Sequence, residues 1–236
     1  MKIGIIAAMS DEREQLSRLL TGLHEEQNGL FRYVTGELGG NTLYIMECGI
    51  GKVNAAVGAS ELITRMQPDV VVSTGVAGGI DKEVAVMDVV AASQVVYHDV
   101  WCGMGNEYGQ VQGMPPKFAC DERLVQVAAS LVSPVPVHVG LICSGDKFVT
   151  GLQELEAIKA DFPEGLAVDM ESGAIAQVCY LYKMPFISFR VISDTPGAEG
   201  HWEQYENFWE TMADHSFGVV KAFLESLTDG LSTSLK

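Results

Sequence analysis

The stretch Gly165-Leu-Ala-Val-Asp169-Met-Glu171-Ser-Gly173-Ala-Ile-Ala-Gln-Val178 carries two carboxylates inside an otherwise apolar run. Its first four residues are typical of the end of a short buried strand, and the residues from Gly173 onwards have the composition of a helix. Glu171 is therefore predicted near a helix N-terminus, where exposed N–H groups favour negative charge. Because lone charges are costly to bury and ligands of open α/β sheets gather at the carboxyl ends of strands, we interpret this junction as a candidate site.

Two other strand-like runs also lead into an acid. Residues 1–8 form an apolar first strand, and Glu12 follows it at the start of a helix. Residues 185–192 have the pattern of a central strand and lead into Ser193 and Asp194. We predict that these acids and Glu171 line one pocket, because strand ends meet at the same edge of a sheet. The alternative is that each acid is a solvated helix cap.

Strands alternate with helices along the 236 residues, and no internal repeat or linker interrupts them. This order predicts an α/β fold, a single-domain three-layer sandwich whose central mixed β-sheet is flanked by helices. The domain is predicted to span residues 1–229, and residues 230–236 are predicted to form a frayed tail. A hairpin over residues 30–47, turned at Gly39-Gly40-Asn41, makes the predicted sheet mixed rather than all parallel.

Three local predictions accompany this fold. Ser10 is predicted to cap a helix that runs to about Leu20. Residues 21–29 are polar and are predicted to form a loop. The last helix is predicted over residues 203–227.

Composition excludes several functions. The chain has 15 Lys and Arg against 31 Asp and Glu, a formal net charge of −16, which disfavours nucleic acid and polyanionic ligands and suits a neutral or cationic small molecule. We expect no membrane segment, no secretory signal peptide, no metal site and no cofactor. The five cysteines are scattered and odd in number, so we expect reduced thiols and a cytoplasmic location.

Two glycine-containing segments are also notable. In Gly49-Ile-Gly51-Lys52 the spacing differs from that of phosphate-binding loops, so the glycines are interpreted as sites where the backbone approaches a ligand or a neighbouring strand. Residues 98–116 form a long predicted loop that carries Trp101, Met104 and Tyr108. Such loops in compact domains tend to be functional or to lie at interfaces.

A pocket lined with carboxylates, without a metal or a thiol nucleophile, suits hydrolysis at an acetal-like carbon. One acid would protonate the leaving group, and the other would take a proton from water. Nearby negative charge would stabilise the oxocarbenium-like transition state. Asp194, at the end of an apolar strand, is a candidate for the protonated acid, because burial raises the pKa of a carboxyl group.

Seven motifs in series resemble those of the 5′-methylthioadenosine/S-adenosylhomocysteine nucleosidases, over nearly the whole chain. They are Met1 to Glu12, Gly49-Ile-Gly51-Lys52-Val53, Ser73-Thr-Gly75-x-Ala77-Gly78-Gly79, Tyr97-His98-Asp99, Ser144-Gly145-Asp146, Met170-Glu171 and Arg190-x-x-Ser193-Asp194. The wider superfamily includes the nucleoside phosphorylases, so the resemblance implies a central mixed sheet flanked by helices. It also implies a small nucleoside as substrate.

The resemblance implies a role for each matching residue. Glu12 would activate water, and Asp194, oriented by Ser193, would protonate purine N7. Glu171 would hold the ribose hydroxyls over Met170. Phe148 would stack on adenine, and the backbone of Val149 would read the edge of the base. Arg190 would help to position the water. The 5′-alkylthio pocket would be lined by Met9, Ile50 and Tyr205. From the residues alone, Arg190 fits equally a structural partner for a buried carboxylate, and Phe148 fits the plain core.

The family is dimeric, so the resemblance implies a homodimer with loop 98–116 at the interface. Val76 stands where many relatives have Ser, and Tyr205 stands where Phe is expected. Phosphorylases of the superfamily bind phosphate with an Arg and a Ser at the positions that Ser73 and Val76 occupy here. Because this chain lacks that pair, hydrolysis is favoured over phosphorolysis. The alternatives are a phosphorylase, an aminofutalosine nucleosidase of the same fold, and a non-catalytic nucleoside-binding sensor.

Overall fold

A computed structural model of the chain describes residues 1–28, 31–211 and 213–227. Its strands are β1 (Lys2–Ala7), β2 (Thr21–Asn28), β3 (Phe31–Leu38), β4 (Asn41–Glu47), β5 (Val70–Gly79), β6 (Val89–Tyr97), β7 (Phe118–Ala119), β8 (Val137–Ser144), β9 (Gly165–Asp169) and β10 (Phe186–Asp194). Its helices are α1 (Ser10–Ser17), α2 (Lys52–Met66), α3 (Glu122–Ala129), α4 (Leu152–Asp161), α5 (Ser172–Tyr182), α6 (His201–Thr211) and α7 (Ala213–Ser226). The predicted α/β class is confirmed.

The sheet is mixed, as predicted, and part of it closes on itself. Strands β10, β6, β8, β9 and β5 pair in that order, and β5 pairs again with β10, which completes a ring. From β5 the sheet continues through β1, β4 and β3 to β2 at its edge. The pairs β1–β4, β1–β5, β5–β10, β6–β8 and β8–β9 are parallel, whereas β10–β6, β5–β9, β2–β3, β3–β4 and β6–β7 are antiparallel. The ring brings the ends of β5, β9 and β10 close together.

The central strands are apolar because they are covered on both faces. Every residue of β10 is buried, and β5 is buried along most of its length. The two strands run parallel over residues 186–192 and 71–77. Polar residues at the end of such strands are therefore held by a rigid part of the fold, which suits a site that needs fixed geometry.

The local predictions had mixed outcomes. Residues 21–28 form β2 rather than a loop; they are polar because β2 is an exposed edge strand that pairs only with β3. The prediction that Ser10 caps α1 is wrong, since Met9 occupies the cap position in an extended conformation. The helix predicted over residues 203–227 is present on both sides of position 212, which lies outside the described residues, as do Leu30 of the predicted hairpin and the predicted tail.

Within the described ranges, no helix combines the length and the hydropathy that crossing a membrane requires.

Candidate active site

A pocket lies at the carboxyl ends of β1, β5, β9 and β10. It encloses about 590 Å³ of unfilled space, part of it continuous with solvent. Its wall is formed by Ala8, Met9, Glu12, Ile50, Val76, Ala77, Gly78, Lys147, Phe148, Val149, Val168, Asp169, Met170, Glu171, Ser193, Asp194 and Tyr205. The structure therefore brings together every residue that the sequence predicted for the site, apart from Arg190.

Glu12 is buried and held by three backbone N–H groups. Its Oε2 accepts hydrogen bonds from the N–H of Ala8 at 2.7 Å and of Met9 at 3.1 Å, and its Oε1 accepts one from Val76 at 3.1 Å. Burial raises the pKa of Glu12, and the charge of Arg190 and these N–H groups oppose the rise. A carboxylate fixed in this way, with a raised pKa, can take a proton from a water molecule at neutral pH.

Gly75 leaves the space in which Glu12 lies. A Cβ atom on Gly75 would stand 2.4 Å from Glu12 Oε1, which is closer than any real contact. Gly75 belongs to β5, whereas Glu12 belongs to α1, so a side chain here would push the carboxylate away from Val76. Glu12 can therefore occupy its observed position only because residue 75 is a glycine.

Replacing Gly75 by Ala should displace Glu12 and lower turnover of a nucleoside substrate by roughly 10- to 100-fold, since small misplacements of a reacting group are costly. The control is Gly218→Ala in α7, where an added Cβ meets nothing within 4 Å. That control should keep full activity and gain up to about 1 kcal/mol of stability. Equal activity in the two variants, measured beside their melting temperatures, would contradict this reading of Gly75.

Asp194 ends β10 and is buried in the pocket wall. Ser193 donates from its Oγ to Asp194 Oδ1 at 2.7 Å. Burial raises the pKa of Asp194, while this hydrogen bond and the charge of His201 lower it by less. Because one oxygen is engaged by Ser193, the other is available to carry a proton towards a ligand in the pocket.

Glu171 occupies the cap position of α5, as the sequence predicted from its place before the helix. Its Oε1 accepts a hydrogen bond from the N–H of Gly51 at 2.9 Å. Gly51 has φ of +93°, a conformation that favours glycine. The glycine turn before α2 thus places a backbone N–H against the acid. This agrees with the interpretation that the glycines allow a close backbone approach.

Burial, followed by the charge of Asp169, raises the pKa of Glu171 to about 7 from 4.5. The folded protein therefore binds more protons than the unfolded chain between these values, and stability should fall as the pH rises through this window. The raised pKa values of Glu12 and Asp194 act in the same direction.

Replacing Glu171 by Gln should therefore flatten the loss of unfolding free energy between pH 5 and pH 8, by up to roughly 3 kcal/mol. Urea unfolding at the two pH values measures this change, and Glu37→Gln at an exposed position of β3 is the control. A pH dependence that is the same in wild type, Glu171→Gln and the control would contradict the assignment of a raised pKa.

Arg190 does not line the pocket; it is buried and hydrogen-bonded to protein groups through each of its three nitrogens. Its Nε donates to Asp169 Oδ2 at 2.6 Å, and its two terminal nitrogens donate to Ser73 Oγ at 3.0 Å and to the carbonyl of Phe189 at 3.1 Å. Of the two interpretations of Arg190, the geometry favours the partner of a buried carboxylate. Its charge still acts on Glu12 and Glu171, whose pKa values it lowers.

Phe148 is half exposed, so it is not a core residue. Its ring packs against Trp202, with centroids 5.5 Å apart, and against Tyr205, with centroids 5.9 Å apart. Both partners belong to α6, which therefore lies over the part of the pocket formed by Phe148 and Val149. This aromatic wall offers a face on which a planar ring can stack.

Several pocket residues were absent from the sequence prediction. The small residues Ala8, Ala77 and Gly78 lie inside motifs that had been singled out, and they leave the room that a ligand needs. Lys147 stands at the wall, where its ammonium pairs with Glu154 at 2.6 Å. Its position directly after Ser144-Gly145-Asp146 was the available signal.

Among the described residues, no group of three or more His, Cys, Asp or Glu side chains could hold a metal ion.

The fold and this acid-lined pocket belong to the phosphorylase superfamily, whose family model matches residues 2–225. The 5′-methylthioadenosine/S-adenosylhomocysteine nucleosidase of Lysinibacillus sphaericus is 40% identical over 231 residues, which cover 96% of this chain and 100% of that protein. Within the superfamily, the chain belongs to the 5′-methylthioadenosine/S-adenosylhomocysteine nucleosidase family. The resemblance noted in the sequence is confirmed.

Solved structures agree with this assignment. The S-adenosylhomocysteine nucleosidase of Streptococcus pyogenes, in complex with 5-methylthiotubericidin, has a TM-score of 0.91 and 36% identity, covering 97% of this chain and 98% of that one. The nucleosidase of S. pneumoniae, with the transition-state inhibitor MT-ImmA, has a TM-score of 0.91 and 37% identity, covering 97% and 100%. The predicted nucleoside phosphorylase-like fold is therefore confirmed.

Proposed function

We propose that the chain is a hydrolase that cleaves the N-glycosidic bond of 5′-methylthioadenosine and S-adenosylhomocysteine, giving adenine and the 5-thioribose. One observation carries this proposal: two buried carboxyl groups with raised pKa values, Glu12 of α1 and Asp194 of β10, line the same pocket. Relatives bound to 5-methylthiotubericidin and to a transition-state inhibitor support the substrate class. 5′-Deoxyadenosine, which shares the adenosine part, is a further candidate substrate.

Asp194 acts as the general acid. A purine anion is a poor leaving group, so its departure needs a proton on N7 before the glycosidic bond is fully broken. The raised pKa keeps Asp194 protonated closer to neutral pH than an exposed aspartate would be. Ser193 fixes the carboxyl group by its hydrogen bond to Oδ1, so the proton on the other oxygen faces the ring.

Glu12 acts as the general base towards water. The three N–H groups that bind its oxygens fix the carboxylate, and they together with Arg190 favour the ionised form against the cost of burial. Val76 contributes only its backbone N–H here, so the water is positioned without the side-chain hydroxyl that many relatives have. The attacking water gives its proton to Glu12 as its oxygen bonds to the anomeric carbon.

Negative charge beneath the sugar stabilises the transition state. As the purine leaves, the ribose develops positive charge, and Glu12, Asp169 and Glu171 lie around it with Arg190 as their shared cation. Glu171 accepts from the ribose hydroxyls, and Met170 packs below the ring. Adenine lies between Phe148 and Asp194, and the 5′-thioalkyl group extends along Met9, Ile50 and Tyr205, as the resemblance implies.

Phosphorolysis is disfavoured because the cationic side chains in and near the pocket are already paired with protein groups. Arg190 is buried and absent from the pocket lining, and its guanidinium donates to Asp169, Ser73 and the carbonyl of Phe189, so its N–H groups are not presented to a phosphate in the pocket. Among the described residues that line the pocket, Lys147 is the one cation, and Glu154 pairs with it. A phosphate dianion would also be repelled by Glu12 and Glu171.

Adenine release from a panel of nucleosides tests the substrate assignment. Purified protein should turn over 5′-methylthioadenosine and S-adenosylhomocysteine. Turnover of aminofutalosine alone would make it an aminofutalosine nucleosidase, and tight binding of adenosine analogues without turnover would make it a sensor. Product analysis by chromatography separates these outcomes.

We propose further that the protein is a cytoplasmic homodimer with loop 98–116 at the interface. In this loop Trp101 and Met104 are exposed, by 59% and 98%, and on the neighbouring α2 Val53 is 73% exposed. Exposed apolar side chains of this size favour a partner surface. The five cysteines are free thiols, which suits a reducing compartment. A monomeric mass by light scattering would contradict the dimer.

A further inference from the structure

Three motifs of the chain stand outside the chemistry described so far: the turn around Lys52, the Tyr97-His98-Asp99 run and the Ser144-Gly145-Asp146 run. The structure joins them. Lys52 Nζ donates to Asp99 Oδ1 at 2.5 Å, and the N–H of Asp146 donates to Asp99 Oδ2 at 2.8 Å. The N–H of Lys52 donates to Asp146 Oδ1 at 2.7 Å. These three bonds form a closed ring of three residues, which we call the Lys52 ring.

The Lys52 ring connects two parts of the pocket wall that come from distant segments of the chain. On one side, Gly51 directly precedes Lys52 and donates its N–H to Glu171 Oε1. On the other side, Phe148 and Val149 lie two and three positions after Asp146 and form part of the pocket wall. Lys52 is the first residue of α2, whereas Asp99 and Asp146 follow the paired ends of β6 and β8. The ring therefore ties the start of α2, and with it Gly51, to the end of the sheet from which Phe148 and Val149 follow.

The surroundings hold Lys52 in this position. Its side chain is 22% exposed and that of Asp99 is 27% exposed, so the ion pair is partly shielded from water. Nζ also lies 4.7 Å from the centroid of the Tyr97 ring, whose hydroxyl donates to Gln177 of α5 at 2.8 Å. An ammonium that makes a charge-assisted hydrogen bond and also lies against an aromatic ring keeps one geometry better than an exposed ion pair does.

We propose that Lys52, Asp99 and Asp146 are positioning residues that fix the purine wall relative to the carboxylate that holds the ribose. This rests on the proposed function, in which Phe148 and Val149 face the base and Glu171 faces the sugar. None of the three residues is among those that line the pocket. They act through Gly51 on Glu171, and through the segment from Asp146 to Phe148 and Val149 on the base.

The proposal predicts an effect that depends on whether base and sugar are joined. A nucleoside analogue needs both walls at the right separation, whereas free adenine needs only the purine wall. In Lys52→Met, we expect the Kd of 5-methylthiotubericidin to rise by about tenfold or more, and the Kd of adenine to change by less than about twofold. The kcat/KM for 5′-methylthioadenosine should fall by roughly 10- to 100-fold.

Calorimetry on the whole protein measures the two Kd values. Asp99→Asn breaks the same ring and should reproduce the altered ratio, and Lys52→Arg, which keeps the cation, should restore part of it. Lys82→Met, at an exposed position, is the control and should leave both Kd values unchanged. Lys52→Met and Asp99→Asn remove different members of the ring. If one of the two variants fails to fold, the other still provides the test.

Equal weakening of both ligands in Lys52→Met and Asp99→Asn would overturn the proposal, because it would indicate general damage to the pocket. Unchanged binding of both would overturn it as well. The ratio does not depend on turnover. A wild-type protein that binds both ligands but releases no adenine would contradict the proposed hydrolase and leave the positioning test valid.

Discussion

Replacing Asp194 by Asn should lower the turnover of 5′-methylthioadenosine by about 10²- to 10⁴-fold, the range that general acid catalysis supplies. Asn has nearly the shape of Asp, and Ser193 can still hydrogen-bond its oxygen, so substrate affinity should stay within a few-fold. What is lost is the proton for purine N7. Separate measurement of kcat and KM distinguishes a loss of proton transfer from a loss of substrate affinity, because a group that acts only in the transition state changes kcat.

A substrate with a better leaving group sharpens the Asp194 test. In a 4-nitrophenyl 5-methylthioriboside the leaving group is 4-nitrophenolate, a stable anion that needs no proton, so Asp194→Asn should cleave this substrate nearly as fast as wild type. Asp161→Asn, at an exposed position of α4, is the control and should match wild type on both substrates. Turnover of 5′-methylthioadenosine at the wild-type rate in Asp194→Asn would remove this residue from the mechanism.

Replacing Glu12 by Gln should also lower turnover by two or more decades, for a different reason. The amide keeps the size of the side chain but cannot take a proton from water, and its NH2 group would face an N–H of Ala8, Met9 or Val76 in place of an acceptor. The 4-nitrophenyl substrate should not rescue this variant, because water attack is still required. The contrast between the two variants assigns base and acid.

Glu14→Gln is the matched control for Glu12, since it lies in the same helix with its side chain 58% exposed. It should behave as wild type on both substrates. If Glu12→Gln were rescued by the better leaving group, Glu12 would have to be placed on the side of the leaving purine, and the assignment of the two acids would be reversed.

The elements that frame the pocket were predictable because their signals are local. The run before Asp169 is apolar and short, and the residues after Glu171 are helix-forming, so the junction and its acid follow from about a dozen residues. Glycines at Gly49 and Gly51 likewise indicate a special backbone, and both have positive φ in the structure. Strand β2 was missed because an exposed edge strand carries no apolar alternation.

Ser193, adjacent to Asp194, was predicted as its partner through the family resemblance, whereas partners that come from distant strands could not be identified from the sequence. Glu12 binds the N–H of Val76, 64 positions away, and Arg190 pairs with Asp169 across two strands that are not neighbours in the ring. The closure of the sheet by β5 and β10 decides these contacts, and no residue pattern within one strand reveals it. The three residues of the Lys52 ring are also distant in sequence, so the sequence showed them only as parts of three separate motifs.

The most direct test of the account is to incubate the protein with 5′-methylthioadenosine, with and without inorganic phosphate, and to separate the products. We expect adenine and free methylthioribose at the same rate in both buffers, because Glu12 can act as a base for water and the one cation among the described lining residues, Lys147, is paired with Glu154. Adenine formed only with phosphate, together with a sugar 1-phosphate, would contradict it and would require a new reading of Glu12, Ser73 and Val76.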